Sequence, residues 1–519
     1  MRTTGAVVAL AIFSLFCLLG CKEEKQPPVP VKAGEKPSAP VKAEEKPSVP
    51  VKAEEQPAVP PIAFTNYAGG ETIRYPVPLI RGTLADKTLT SVEVINQSSN
   101  RDTARMVCLA YDGRFKALTE LVPGKNQIVI RAGQARAALE LTYKPQTSPY
   151  VTRIVYAVDS TGDTTYQTPF PADAQDYAGK LGTMMLMMQT FTAERLNDLG
   201  MGRRTFNLEL DEKGKVKIHI LKCDKTAQEV YTMGGGRAQL YDYISHQLNA
   251  QLPDPKAKSV VITAFSRFNP ETLHNMAYTA LGSGNMALFG GSNMYCYPNR
   301  LADVQKAFMD SRLIDTAKYS SDSAGRHRFW ANASTSIGAS LHELGHAFGL
   351  PHSRDGFDIM SRGFDFFSRF WVLQEAPAKN RTAPADFGEQ QSARWTLASA
   401  AFLRATRWFS LDTREYGEAN RIQARPGDGP DEVVVESPDG IGAVCLGSPG
   451  SISTAVPMDY SKPAPTAVVV NTKQFEAHLR DAKAWLRIID ANGFVKNVYL
   501  KDLQAAPATT PEGSPMAAP

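Results

Sequence analysis

Net charge is almost absent from this chain. Its 57 Lys and Arg against 53 Asp and Glu leave +4 on 519 residues. Nucleic-acid binders carry a concentrated basic face, so this balance calls for no nucleic-acid partner. Cysteine is scarce, six in all, and Cys108, Cys223, Cys296 and Cys445 are spaced too widely for any metal-binding pattern. They read as buried thiols, or one opportunistic bridge of the kind an exported compartment permits. The apolar run at residues 6–19 is too short to span a bilayer comfortably. Histidine is also rare, eight in all, yet three of the eight fall within residues 342–352. His219, His246, His274, His327 and His478 lack ligand spacing and read as structural or solvent-facing.

The first residues are an address. Arg2 and the run at 6–19 read as a signal peptide over residues 1–20. The run ends Leu18-Leu19-Gly20-Cys21, which resembles a bacterial lipobox. That resemblance implies cleavage before Cys21 and lipid on its sulfur, a stable anchor because more than one chain is attached. The alternative is a plain signal peptide with an incidental cysteine. Lys22 follows, not Asp; by resemblance to enterobacterial sorting, this implies a place in the bacterial cell envelope at the outer membrane. Over residues 21–61 a ten-residue repeat rich in Val, Lys, Ala, Glu and Pro starts at Val31, Val41 and Val51. It has no aromatics and cannot form a core. It reads as a semi-extended stalk, and it holds no cysteine that could act as a latency switch.

Three bodies follow, expected to form a multidomain fold: an α/β catalytic domain between two β-sandwich-like domains. Residues 62–145 alternate in short strands, at 91–95, 127–130 and 137–143, with a turn at 123–126. They suggest an immunoglobulin-like sandwich. Its bland role is a spacer, and no cluster of exposed aromatics argues for glycan binding. Residues 146–412 read as mixed α/β. Helices are expected over 173–199, 238–252 and 391–409, and strands over 153–158, 259–265 and 286–291. A hairpin is expected over 204–210 and 215–221. Met184, Met185, Met187 and Met188 read as core packing, not a soft-metal site. Residues 413–504 turn β-rich again, with strands at 432–436, 467–471, 484–489 and 495–500. Residues 505–519 read as a disordered tail.

The chemistry concentrates in residues 341–352. His342 and His346 are four apart and project from one helix face, one turn from each other. Two imidazoles so placed can share one tetrahedral zinc. Ser334 or Thr335 could cap this helix, expected to run to about Phe348. Gly349 can take the positive φ that ends it, and Pro351 discourages continuation. The chain can then bring back His352 as a third ligand. Three protein ligands leave one position open, as a catalytic zinc requires. Glu343, next to a ligand but turned away from the metal, suits a general base. By ordinary residue usage, a chance match to this extended spacing is on the order of one in ten thousand.

His342, Glu343, His346, Gly349 and His352 match HExxHxxGxxH, and here the chain resembles the metzincin clan of zinc peptidases. Met360, in Asp358-Ile359-Met360-Ser361, stands where that clan carries a Met-turn below the metal. The continuation through residues 364–371 resembles a little-characterised zinc metalloproteinase family of fungi and bacteria. The resemblance implies one catalytic Zn2+, a water activated by that ion, and Glu343 as the base. It also implies an upper edge strand along which an extended substrate lies, for which Met286, Ala287, Leu288, Phe289 and Gly290 are the candidates. Arg362 and Ser353 depart from subfamilies that carry Tyr and Asp at those places. The expected function is a lipid-anchored extracytoplasmic zinc endopeptidase acting on proteins or glycoproteins. Its rival is a catalytically silent lipoprotein of the same fold that binds protein or glycan. A zinc hydrolase of a non-protein amide would share the site.

Overall fold

Alternate residues of the strand Val151–Val158 face two different cores. In the computed structural model, which describes residues 61–448, 450–478 and 484–504, Ile154, Tyr156 and Val158 join one buried cluster, and Val155 and Ala157 another. Ala257–Thr263 and Met286–Gly290 divide in the same way, as period-two side chains must. These strands run parallel, in the order Val151–Val158, Ala257–Thr263, Met286–Gly290. Ala280–Ser283 closes the far side antiparallel. Helices Ala227–Thr232 and Gly236–Gln251 cover one face through Val230, Leu240, Ile244 and Leu248. Tyr177–Asp198 and Phe329–Ala347 cover the other. The four methionines expected in the core, Met184, Met185, Met187 and Met188, are buried there.

The hairpin expected over 204–221 is reduced to its tip. Leu210 and Val216 form one antiparallel bridge, and Asp211 N–H is bonded to Lys215 O at 2.7 Å. The legs pair with each other no further than Lys217 N–H to Glu209 O at 3.1 Å. Asn207–Leu208 and Ile218–Lys222 each add in parallel to the same edge of Val151–Val158. A long buried neighbour offers both legs more ladder than they could offer each other.

Residues 62–143 form one hydrogen-bonded path of eight strands rather than two separate sheets. Arg105–Tyr111 makes the corner. Its residues 105–109 pair with Ser91–Asn96, and Ala110 and Tyr111 pair with Arg114–Leu118. The buried sides of this path share a cluster with the mixed sheet and the helix Phe329–Ala347.

In the C-terminal part, Ile441–Ser448 lies between Ser451–Ala455 and Trp485–Asp490. Val444, Leu446, Leu486 and Ile488 face Val433, Val435 and Val470 of a second, three-stranded sheet. The opposite face, with Ala443, Cys445 and Ile489, packs toward Phe402 and Leu403 of the helix Leu397–Ala405. The described residues all fall in one compact unit. Cys108, Cys223, Cys296 and Cys445 are all free and buried. Among the described residues, no helix is long and apolar enough to cross a membrane. Cys21, the repeat segment and the tail lie outside them.

Candidate active site

The helix Phe329–Ala347 is buried on every side, with only His346 partly open. It begins five residues before Ser334, the first of the two caps expected from sequence. No side chain caps it; Phe329 and Trp330 donate their N–H groups to Arg312 O and Asp310 O, at 3.1 and 3.0 Å. Those carbonyls satisfy donors that a Ser or Thr would otherwise take. Ser334 and Thr335 are free for another task. Their hydroxyls donate to the backbone oxygen and the carboxylate of Asp365, at 3.2 and 2.9 Å.

The end of the helix positions a histidine. Gly349 has φ of +100°, Leu350 N–H is bonded to Gly345 O, and Gly349 N–H to His346 O, both at 2.9 Å. This is the Schellman pattern, which needs a left-handed residue at that place. The reversal brings Leu350 O to 2.8 Å from Nδ1 of His346. Ile359 O stands 2.7 Å from Nδ1 of His342. A carbonyl can only accept, so in both rings Nδ1 carries the proton and Nε2 presents a bare lone pair.

Those Nε2 atoms converge. His346 Nε2 lies 3.1 Å from His342 Nε2 and 3.3 Å from His352 Nε2. Lone pairs facing each other so closely need a cation between them. Ligands at about 2.0–2.1 Å on a tetrahedral zinc are about 3.3–3.4 Å apart, so the triad fits that ion in both donor type and spacing. Burial lowers the pKa of all three rings; the neighbouring imidazoles add to this for His342, and His352 adds to it for His346, held at about 4. Neutral imidazole is the form that binds metal. Among the described residues this is the one group of three potential ligands gathered within 4.8 Å. His219 is instead bonded to Glu209 at 2.9 Å, and His327 to Ser321 at 3.1 Å.

Glu343 is buried beside the triad, and burial pushes its carboxyl up to about 8 against the opposing N–H of Gly282. Met360 is fully buried beneath the helix. A methyl on Gly345 would overlap its sulfur. Its turn is held by Asp358, whose carboxylate accepts from the Met360 and Thr396 N–H groups and from the Thr396 and Ser399 hydroxyls, at 2.6 to 3.1 Å. Arg362 points mostly to solvent, paired with Asp365 at 2.6 Å and lying over Phe364. Ser353 donates its N–H to Met360 O at 2.9 Å.

The substrate strand expected at Met286–Gly290 must be moved. All five of its residues are buried, and it is paired on both sides, so it is not an edge. The apolar run that suggested it is the mark of an internal strand. The edge is Ala280–Ser283, folded back across residues 284–285. Gly290 N–H is bonded to Thr279 O. By alternation the backbone groups of Ala280 and Gly282 therefore point to the open side. Gly282 packs so closely on the backbone of Glu343 that any side chain there would collide with it. Two groups therefore escaped the sequence reading, Gly282 and Asp358. The only local signal for the first was Gly282-Ser283-Gly284-Asn285, which marks a turn. Asp358 sits within the Met-turn, but its partners lie about forty residues downstream.

A family model described as "Putative peptidase family" matches residues 61–439. A "putative zinc metalloproteinase" of Schizosaccharomyces pombe is 27% identical over 337 residues, which is 60% of this chain and 54% of that one. One of Saccharomyces cerevisiae is 24% identical over 304 residues, 50% and 42% of the two chains. The chain thus spans about half the length of the curated relatives it matches. Among solved structures, OgpA of Akkermansia muciniphila is 19% identical, with a TM-score of 0.45 over 68% of this chain and 92% of that one. The family match takes in the helix, the three histidines, Glu343 and Met360 within a single span. On that match, the chain belongs to this peptidase family.

Proposed function

We propose that the protein is a zinc endopeptidase that cleaves proteins or glycoproteins outside the cytoplasm, with one zinc held by His342, His346 and His352. The observation that carries this reading is the convergence of three Nε2 atoms at 3.1 and 3.3 Å, two of them fixed as lone-pair donors by carbonyls. A zinc ion bound there would polarise a peptide carbonyl and make an attacking water more acidic. That cation would favour the ionised form of Glu343 against its burial, and the carboxylate takes the proton from the water and passes it to the leaving amine. Glu343 is buried, with its backbone against Gly282. The outward backbone groups of Ala280 and the outward carbonyl of Gly282 pair with an extended substrate, which gives affinity with little side-chain selectivity. Met360 fills the space under the metal-binding helix.

Glu343→Ala tests the reading on a panel of proteins and mucin-type glycoproteins. Cleavage is expected to slow by about 10²–10⁴-fold while bound zinc stays near one per chain. Equal cleavage by both forms, or none by the wild type, would overturn the peptidase reading. We further propose that lipid on Cys21 anchors the protein in the bacterial envelope at the outer membrane, with residues 21–61 as a spacer. Cys21→Ser should move the protein from the membrane fraction to the soluble one; retention with the membrane would refute the anchor.

A further inference from the structure

His352 is held differently from its two partners. His342 and His346 each have a carbonyl on Nδ1, whereas among the described residues His352 has none. The direction of its ring therefore follows from its backbone, the short strand His352–Ser353. On one side Ser353 N–H is bonded to Met360 O. On the other the strand pairs in parallel with Ser451–Ala455, His352 opposite Ser451 and Ser353 opposite Ile452. Arg354 fastens the same seam, with Nη2 at 2.8 Å from the Ser448 hydroxyl. A second contact comes from Trp485–Asp490. Arg487 lies over the Phe402 ring and beside Gly349, the residue that turns the chain toward His352. The partners that the C-terminal sheet supplies, Ser448, Ser451, Ile452 and Arg487, all lie beyond residue 439, where the family match ends.

We propose that the C-terminal sheet is a positioning element of the metal site, and that pairing between Ser451–Ala455 and His352–Ser353 sets the third ligand. This rests on the zinc reading above. The C-terminal part would then be required for metal binding, and not an appended module. Because the pairing is between backbones, the side chain at 451 should matter little and its backbone a great deal. Proline at 451 fixes φ and distorts the strand directly opposite His352, whereas alanine leaves its backbone as it is.

The test uses the full chain as Ser451→Pro, Ser451→Ala and Arg354→Ala, with His342→Ala as a reference for loss of a ligand. Zinc affinity is measured by chelator competition, and ligand geometry by the visible spectrum of the cobalt-substituted protein. Near-ultraviolet circular dichroism reports folding. S451P is expected to bind zinc about 10-fold or more weakly, with an altered cobalt spectrum, and S451A to match wild type. R354A should show a smaller loss of the same sign, and it decides the question if S451P does not fold. A folded S451P with wild-type affinity and spectrum would overturn the proposal, as would equal losses in S451A and S451P, or an unfolded S451P beside an R354A that binds as wild type does. The zinc reading would survive those results as long as H342A abolishes binding. It falls, and the proposal with it, only if the wild type binds neither metal.

Discussion

A single methyl at position 345 would meet the sulfur of Met360, so the fit beneath the helix Phe329–Ala347 can be probed one atom at a time. Gly345→Ala should destabilise the protein by about 1–3 kcal/mol through overpacking, read as a fall in melting temperature. Met360→Leu nearly conserves volume and should cost less than about 1.5 kcal/mol. In the double variant G345A/M360A the two losses should sum to less than additively, because the shortened side chain leaves room for the methyl. G345A melting with wild type would refute the contact. At this scale the sequence was most informative about residues that carry chemistry by spacing: His342, Glu343, His346, Gly349 and His352 can all be read within eleven positions. It was least informative where the partner is remote in the chain. Nothing near Asp358 announces Thr396 and Ser399, and nothing near Gly282 announces the backbone of Glu343.

Among the elements, the edge of the mixed sheet is Ala280–Ser283 and not Met286–Gly290. The apolar pattern located the internal strand but could not say that four short residues would fold back and cover it. Turn chemistry at 284–285 was visible, whereas the pairing it produces is tertiary. The helix start is a similar case. Ser334 and Thr335 look like caps by residue type, but the carbonyls of Asp310 and Arg312 reach the helix first and extend it to Phe329. If Ala280–Ser283 is the platform for substrate, its outward N–H can be removed with little harm to the sheet. Proline is tolerated at an edge where the N–H faces solvent. Ala280→Pro should therefore lower kcat/KM about 10-fold, the worth of one hydrogen bond, chiefly through KM. Zinc affinity and melting temperature should stay near wild type. Unchanged kinetics in a folded A280P would show that substrate lies elsewhere.

Across the whole molecule, sheets far apart in sequence are joined by buried polar contacts that no periodicity foretells. Lys116, on the first sheet, is buried. Its Nζ donates to Arg369 O and Val372 O at 2.9 and 3.2 Å and pairs with Glu389 at 2.9 Å. Glu389 also meets Arg195 of the helix Tyr177–Asp198 at 3.1 Å. Gln305 adds to the same junction, donating to Lys116 O and Trp371 O. The sequence could suggest a β body beside an α/β body, but not that a lysine from one would be buried in the other. Burial would raise the Glu389 carboxyl, yet Lys116 and Arg195 outweigh it and hold the group at about 2. A carboxylate depressed on folding binds fewer protons in the native state. Its stabilisation is therefore complete above the ordinary value of 4.5 and is lost as pH falls from there toward 2. Lys116→Met leaves two carbonyls without their donor and Glu389 with Arg195 as its remaining cation, and should destabilise the protein by about 3 kcal/mol at pH 7. Glu389 is half-exposed, so solvent screens part of its share, and Glu389→Gln should cost only about 1 kcal/mol. Urea unfolding of wild type, K116M, E389Q and the double variant at neutral pH and near pH 3 isolates the pair from other titrating groups. The coupling between the two positions should be clear at neutral pH and should shrink by more than half near pH 3. A coupling that holds constant between the two would mean that the junction is secured by the carbonyl contacts of Lys116 and not by its charge on Glu389.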